Sequence, residues 1–112
     1  MARDDAIMLS RMKRILWENG VDNANLDPVA RRLVAVVRRE EQPDLQTWVS
    51  GDPQPEPSPQ RVSDLNGRIW EIADDGHGCY RLVTMEQRVV VDAPLRPWRD
   101  VLDFEGPLTE VR

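Results

Sequence analysis

The chain has 112 residues, 40% hydrophobic and 31% charged, which suffices for one core of ordinary size and is too short for two independent domains. No run approaches the roughly 18 apolar residues of a membrane span. Charge interrupts the apolar stretch at the N-terminus (MARDDAIMLSRMKR), so no signal peptide is expected, and the single cysteine, Cys79, excludes an internal disulfide.

A reducing compartment fits that cysteine usage, so the expectation is a soluble, cytoplasmic protein of a bacterial cell or its phage, without a membrane partner. Lys13 is the only lysine against fourteen arginines, which fits either a GC-rich coding sequence or a use for bidentate contacts. Residues 1–39 carry eight basic and five acidic side chains, a net of +3; residues 40–112 carry seven and fifteen, a net of −8, giving the total of −5. Such a layout presents an acidic face to a basic partner, or pairs head to tail with itself.

A first helix is predicted over Asp5 to Asn19. Asp4 and Asp5 stand where an N-cap is needed, and Met8, Met12, Ile15, Leu16 and Asn19 share one face, with Leu9 at its edge. Gly20 suits a left-handed C′ position with Val21 following it. Trp17 points away from the apolar stripe, towards a second element or a partner. Asp27-Pro28 reads as the start of a second helix, with Val29, Leu33, Val36 and Val37 as its buried face beside Ala30 and an end near Gln42, before Pro43. The implied eight-residue connection suggests an antiparallel pair. The stretch PDLQTWVSG reads as one further helical turn that packs Trp48 and Val49 back on the pair.

Pro53, Pro55, Pro57 and Pro59 alternate through GDPQPEPSPQ, residues 51–60. Proline fixes φ and removes a donor, so neither a helix nor a central strand runs here. The segment reads as a polyproline spacer, at about 3.1 Å per residue, or as a surface loop. Its spacing of two does not match ligands that place prolines at i and i+3. It separates a helical part (residues 1–50) from a β-rich part (residues 61–112) of one domain.

In the β-rich part, Asn66-Gly67 between Val62/Leu65 and Ile69/Trp70/Ile72 predicts a hairpin. Residues 74–78 form a second turn, Cys79 to Thr84 a strand, residues 85–87 a turn and Arg88 to Asp92 a strand. Pro97 opens a short helix that buries Trp98, Val101 and Leu102. Gly106-Pro107 ends it, leaving a tail or an edge strand. The predicted class is therefore α+β: a helical hairpin on an antiparallel meander of three or four strands, with a short C-terminal helix.

Arg31, Arg32, Arg38 and Arg39 fall within an arc of about 120° on the second helix. None has a carboxylate at i+4, and the only one at i−4, Asp27, is assigned to capping. They form a solvated face, pair with the acidic half, or meet phosphate or an acidic protein. An eight-residue connection is long for a helix-turn-helix, and a pI of 4.8 opposes non-specific attraction to nucleic acid. Asp74, Asp75, His77 and Cys79 match no zinc or calcium spacing, so a polar β-turn is the expectation, with no metal and no cofactor. A Cys79–His77 pair is the one conceivable nucleophile; no phosphate loop or nucleophile elbow accompanies it, and no enzyme is expected. The four tryptophans read as a shared core, with Trp17 as a candidate anchor for a partner.

The functional expectation is a small non-catalytic protein-binding module: an accessory, adaptor or inhibitor of the phage structural, anti-defence, immunity or antitoxin type. Trp17, Asp100, Asp103 and Glu105 are its contact residues for a partner with a basic surface. The alternative is a nucleic-acid-binding regulator that uses Arg31, Arg32, Arg38 and Arg39. Charge pairs alone do not hold an oligomer, so the chain is expected to be monomeric in isolation and to assemble only on a partner.

Overall fold

A computed structural model describes residues 4–73, 78–83 and 94–111. The first helix, α1 (Ala6–Glu18), starts where Asp4 accepts the Ala6 N–H through its carboxylate (3.0 Å). Asp5 makes no cap; its carboxylate is taken up elsewhere. The stop is a Schellman motif: Gly20 has φ +88°, Val21 N–H donates to the Leu16 carbonyl (3.0 Å) and Gly20 N–H to the Trp17 carbonyl (3.1 Å).

The second helix, α2, spans Asn23–Glu41 with Asp22 at its N-cap position. It starts five residues before the Asp27-Pro28 signal, so Pro28 lies inside it and only four residues join the two helices. Proline is tolerated there because the missing N–H would reach only the carbonyl of Ala24, which is exposed to water in the first turn. Asp27 is then free to act sideways rather than as a cap. The buried face also differs from the predicted one. Ala30, Val34, Ala35 and Arg38 are buried, whereas Leu33 and Val36 are exposed.

Residues 43–50 form no helical turn. They lead into β1 (Thr47–Trp48), which pairs antiparallel with β6 (Leu108–Glu110). The remaining strands are β2 (Arg61–Ser63), β3 (Ile69–Ile72), β4 (Cys79–Val83) and β5 (Arg96–Pro97), followed by α3 (Trp98–Glu105). The sheet order is β1-β6-β2-β3-β4-β5 and every pairing is antiparallel. The meander is thus present as β2 to β5, and among the described residues β1 and β6 extend the sheet to six strands. The C-terminal segment is no edge; β6 is inserted between β1 and β2. The predicted turn at residues 85–87 and strand at Arg88 to Asp92 lie outside the described residues.

Two apolar clusters result. One lies between sheet and α3: Val62, Trp70, Tyr80, Trp98, Val101, Leu102 and Leu108 are buried there, with Trp48, Ile72 and Leu82 packed against them. Trp48 on one sheet edge meets Trp98, which follows the other edge, with ring centroids 5.3 Å apart, so the sheet curls around α3. The other cluster joins Leu9, Ala30, Val34 and Leu65, flanked by Met8, Met12 and Leu16. Leu65 sits in the β2–β3 turn, and this turn is what plugs the helical hairpin onto the sheet. Asp5 N–H donates to the Leu65 carbonyl (2.7 Å), and Leu65 N–H to the Glu105 carbonyl (2.8 Å).

The proline segment is a packed loop. The Gln54 amide donates to Ser58 Oγ (2.9 Å) and to the Gly78 carbonyl (3.2 Å), and the Tyr80 hydroxyl donates to the Pro59 carbonyl (2.7 Å).

Candidate functional site

Arg38 continues the small-residue stripe Ala30–Val34 at i, i+4, i+8, so it points with them towards the sheet. It is 2% exposed. Its Nε donates to Asp5 Oδ2 (2.6 Å), Nη2 to the Asp64 carbonyl (2.7 Å), and Nη1 to Thr109 Oγ1 (3.1 Å) and to the carbonyls of Pro107 (3.2 Å) and Ser63 (3.5 Å). The planar fork satisfies α1, the β2–β3 turn and β6 at once, which a lysine ammonium cannot do. A buried charge is tolerable when paired and fully hydrogen-bonded. Arg38 is therefore a structural staple, and its assignment to a phosphate-binding face is corrected: the side chain is not at the surface.

Asp64 is the second polar centre and is fully buried. Its Oδ1 accepts the Asn66 and Arg68 N–H groups (2.9 Å each), and its Oδ2 accepts Arg68 Nε and Trp70 Nε1 (3.0 Å each). Gly67, at φ +79°, completes the turn. Arg38 was a sequence-based candidate only as a surface residue, and Asp64 was not a candidate at all. The signal for Arg38 was its place in the small-residue stripe; that for Asp64 was an aspartate two residues before Asn-Gly.

The other arginines of α2 divide. Arg31 Nε donates to Asp27 Oδ2 (2.7 Å), and its Nη1 donates to the Gly106 carbonyl. Asp27 also pairs with Lys13 across the hairpin (2.7 Å). Burial pushes the Asp27 carboxyl up, but hydrogen bonds and charge from Lys13 and Arg31 outweigh it and hold the pKa below the ordinary value. Arg39 donates to the Thr47 carbonyl (2.8 Å). Arg32 has no hydrogen bond or ion pair among the described residues. With Val36 and Arg39 it lines an open groove of about 450 Å³ whose far wall is Val49 to Asp52. That wall is held by reciprocal bonds: Val49 N–H to Asp52 Oδ2 (2.9 Å) and Asp52 N–H to the Val49 carbonyl (3.0 Å).

The acidic candidates on α3 are mostly engaged within the fold. Glu105 accepts Arg68 and Arg96, and Asp103 accepts the Ser50 hydroxyl and faces Arg99 (3.8 Å). Asp100 is exposed, and no partner for its carboxylate occurs among the described residues. Arg96 also lies over the rings of Trp70 (5.4 Å) and Phe104 (5.8 Å).

Trp48, Trp70 and Trp98 belong to the sheet cluster. Trp17 does not; it is 61% exposed. Asp5 is tied to the turn beside Glu105, and Trp17 lies twelve residues on, so the helix carries it about 18 Å away from that base. Ile7 and Ile15 are also exposed on α1.

Cys79 is a half-buried free thiol in β4; Asp74, Asp75 and His77 lie outside the described residues, so the Cys–His pair and the polar turn do too. Among the described residues no cluster of His, Cys, Asp or Glu is arranged to hold a metal ion, and no helix is long and apolar enough to cross a membrane. No family model, curated protein or solved structure matches the chain.

Proposed function

We propose that this chain is a small non-catalytic protein-binding module, an accessory, adaptor or inhibitor working in the cytoplasm of a bacterial cell or in a phage particle, whose main anchor is Trp17. The observation that carries this reading is an exposed tryptophan on a short helix that a Schellman motif terminates and the Lys13–Asp27 pair braces. Such a side chain offers a large apolar area with little conformational freedom left to lose. Asp100 remains a candidate contact, whereas Asp103 and Glu105 contribute by shaping α3. The test is capture from the source host with tagged wild type and Trp17→Ala in parallel. One stoichiometric partner, bound at least about tenfold more weakly by the variant, is the expected result. Equal capture by both proteins, or no partner at micromolar concentration, overturns the reading.

A second reading, a nucleic-acid-binding regulator, draws on Arg32, which has no hydrogen bond or ion pair among the described residues, although the Asp5–Arg38 and Lys13–Asp27 contacts hold α1 along α2 as a hairpin and not at a helix-turn-helix crossing. It is left with Arg32 and Arg39 as phosphate contacts. It predicts a salt slope of about −2 in a mobility-shift series, abolished by changing both residues to Gln.

A further inference from the structure

We propose that two copies of this chain associate through the outer face of α2, the two helices packing antiparallel about a two-fold axis near Val36. Leu33 is 38% and Val36 45% exposed, with Val29 half-buried beside them. This is the face with the strongest apolar pattern on the helix, yet it is not packed into either cluster and borders the open groove walled by Val49 to Asp52. Arg31 and Arg38, on the opposite side, are the residues that reach Gly106, Ser63, Asp64 and Pro107. The open face extends onto α1. Lys13 and Asp27 close one side of the hairpin, and Ile15, 59% exposed, lies on the side of α1 opposite Lys13, next to the Leu33 side of α2.

Charge identifies the occupant. Arg32 and Glu40 stand four residues before and four after Val36 on the same exposed face, and neither has a hydrogen bond or ion pair among the described residues. In an antiparallel pair centred on Val36, residue 36−n of one copy meets residue 36+n of the other. Arg32 then faces Glu40 of the second copy, and Glu40 faces its Arg32, so one surface carries both halves of its own complement. The same register sets Val36 against Val36 and Leu33 against the aliphatic stem of Arg39. An isologous interface requires this reciprocity. A partner carrying a single sign of charge would match only half of the face. The charge layout along the chain suggests a monomer, because surface ion pairs are weak. What alters that expectation is the apolar strip along the pair, which runs for about 21 Å from Val29 of one copy through Val36 to Val29 of the other.

The test is sedimentation equilibrium of the full chain across a concentration series, in low and moderate salt. Wild type is expected to reach twice the chain mass of 12.9 kDa. Val36→Glu should remain monomeric with an unchanged circular dichroism melt, because the side chain is already half exposed. Arg32→Glu and Glu40→Arg should each weaken the dimer about tenfold, since each places like charges across two symmetric contacts. The double variant Arg32→Glu/Glu40→Arg restores complementarity and should return the affinity to within about threefold of wild type. Trp17→Ala should leave the dimer unchanged, which separates this interface from the proposed partner site. A wild type that stays monomeric at every concentration overturns the proposal. So does a dimer that Val36→Glu does not disrupt, or a double variant no tighter than the single ones.

Discussion

At the scale of single residues, polar groups hold this protein in one geometry. The Asp64 carboxylate accepts four N–H donors from its own turn and from Trp70. An amide in its place has one oxygen and presents a donor to the others. Asp64→Asn should therefore destabilise the chain by about 3 kcal/mol in urea denaturation, more than a typical surface substitution. Asp27 governs a smaller, pH-dependent contribution. Its pKa is lowered in the folded chain from the ordinary value of 3.8. The stability it supplies is present above the unfolded value and is lost as pH falls through the lowered folded one. The urea midpoint of wild type minus that of Asp27→Asn should be constant above about pH 5 and should shrink on acidification. The Asp27 side chain is 43% exposed, so solvent screening keeps this difference small. Tyr80 acts at the other end of the scale. Burial raises its hydroxyl pKa to about 12, so its contribution is complete below pH 10 and is lost as the phenol ionises.

Among the elements, α1 and α3 were legible in the sequence and α2 was legible only in part. The Gly20 stop and the Trp98/Val101/Leu102 face are local patterns, and both occur as read. The start of α2 misled because Asp-Pro is a strong local signal for a helix N-terminus, while Asp22 supplies an earlier one that the Lys13–Asp27–Arg31 network favours. The cost of that choice is one proline inside a helix. Pro28→Ala should raise stability by about 1–2 kcal/mol, the restored hydrogen bond exceeding the entropy returned to the unfolded chain. A lower melting temperature would show that Pro28 instead fixes the approach of α1 to α2. Strands of two or three residues, β1, β5 and β6, carry too few side chains for an alternation to be visible. They exist because partners far along the chain supply their hydrogen bonds. The buried side of α2 was misread for the same reason: Leu33 and Val36 are the more apolar residues, but Ala30, Val34 and Arg38 are the ones whose size and hydrogen-bonding capacity fit against the turn that carries Leu65.

For the whole molecule, the decisive feature is that the two apolar clusters are distinct and that a polar junction couples them. The helical cluster holds Leu9, Ala30, Val34 and Leu65; the sheet cluster holds Trp70, Tyr80, Trp98 and their neighbours. Arg38 bonds to Asp5 at the foot of α1, to the β2–β3 turn and to β6, so its guanidinium is the side chain expected to make helices and sheet unfold together. Two probes report the halves separately. Far-UV circular dichroism follows mainly α1 and α2, whereas tryptophan emission follows Trp48, Trp70 and Trp98, because the exposed Trp17 changes little on unfolding. In wild type the two urea transitions should coincide. Arg38→Met fills much of the same volume, removes the charge beside Asp5, and should cost about 3–5 kcal/mol. Its loss falls on the hairpin first, so the circular dichroism midpoint should move to lower urea than the emission midpoint. Replacing Asp5 by Leu in the same chain removes the buried carboxylate and should bring the two midpoints together again. Coincident transitions in the Arg38→Met single variant would mean that Leu65 and the backbone bonds of its turn suffice to couple the halves, and that Arg38 adds stability without adding cooperativity.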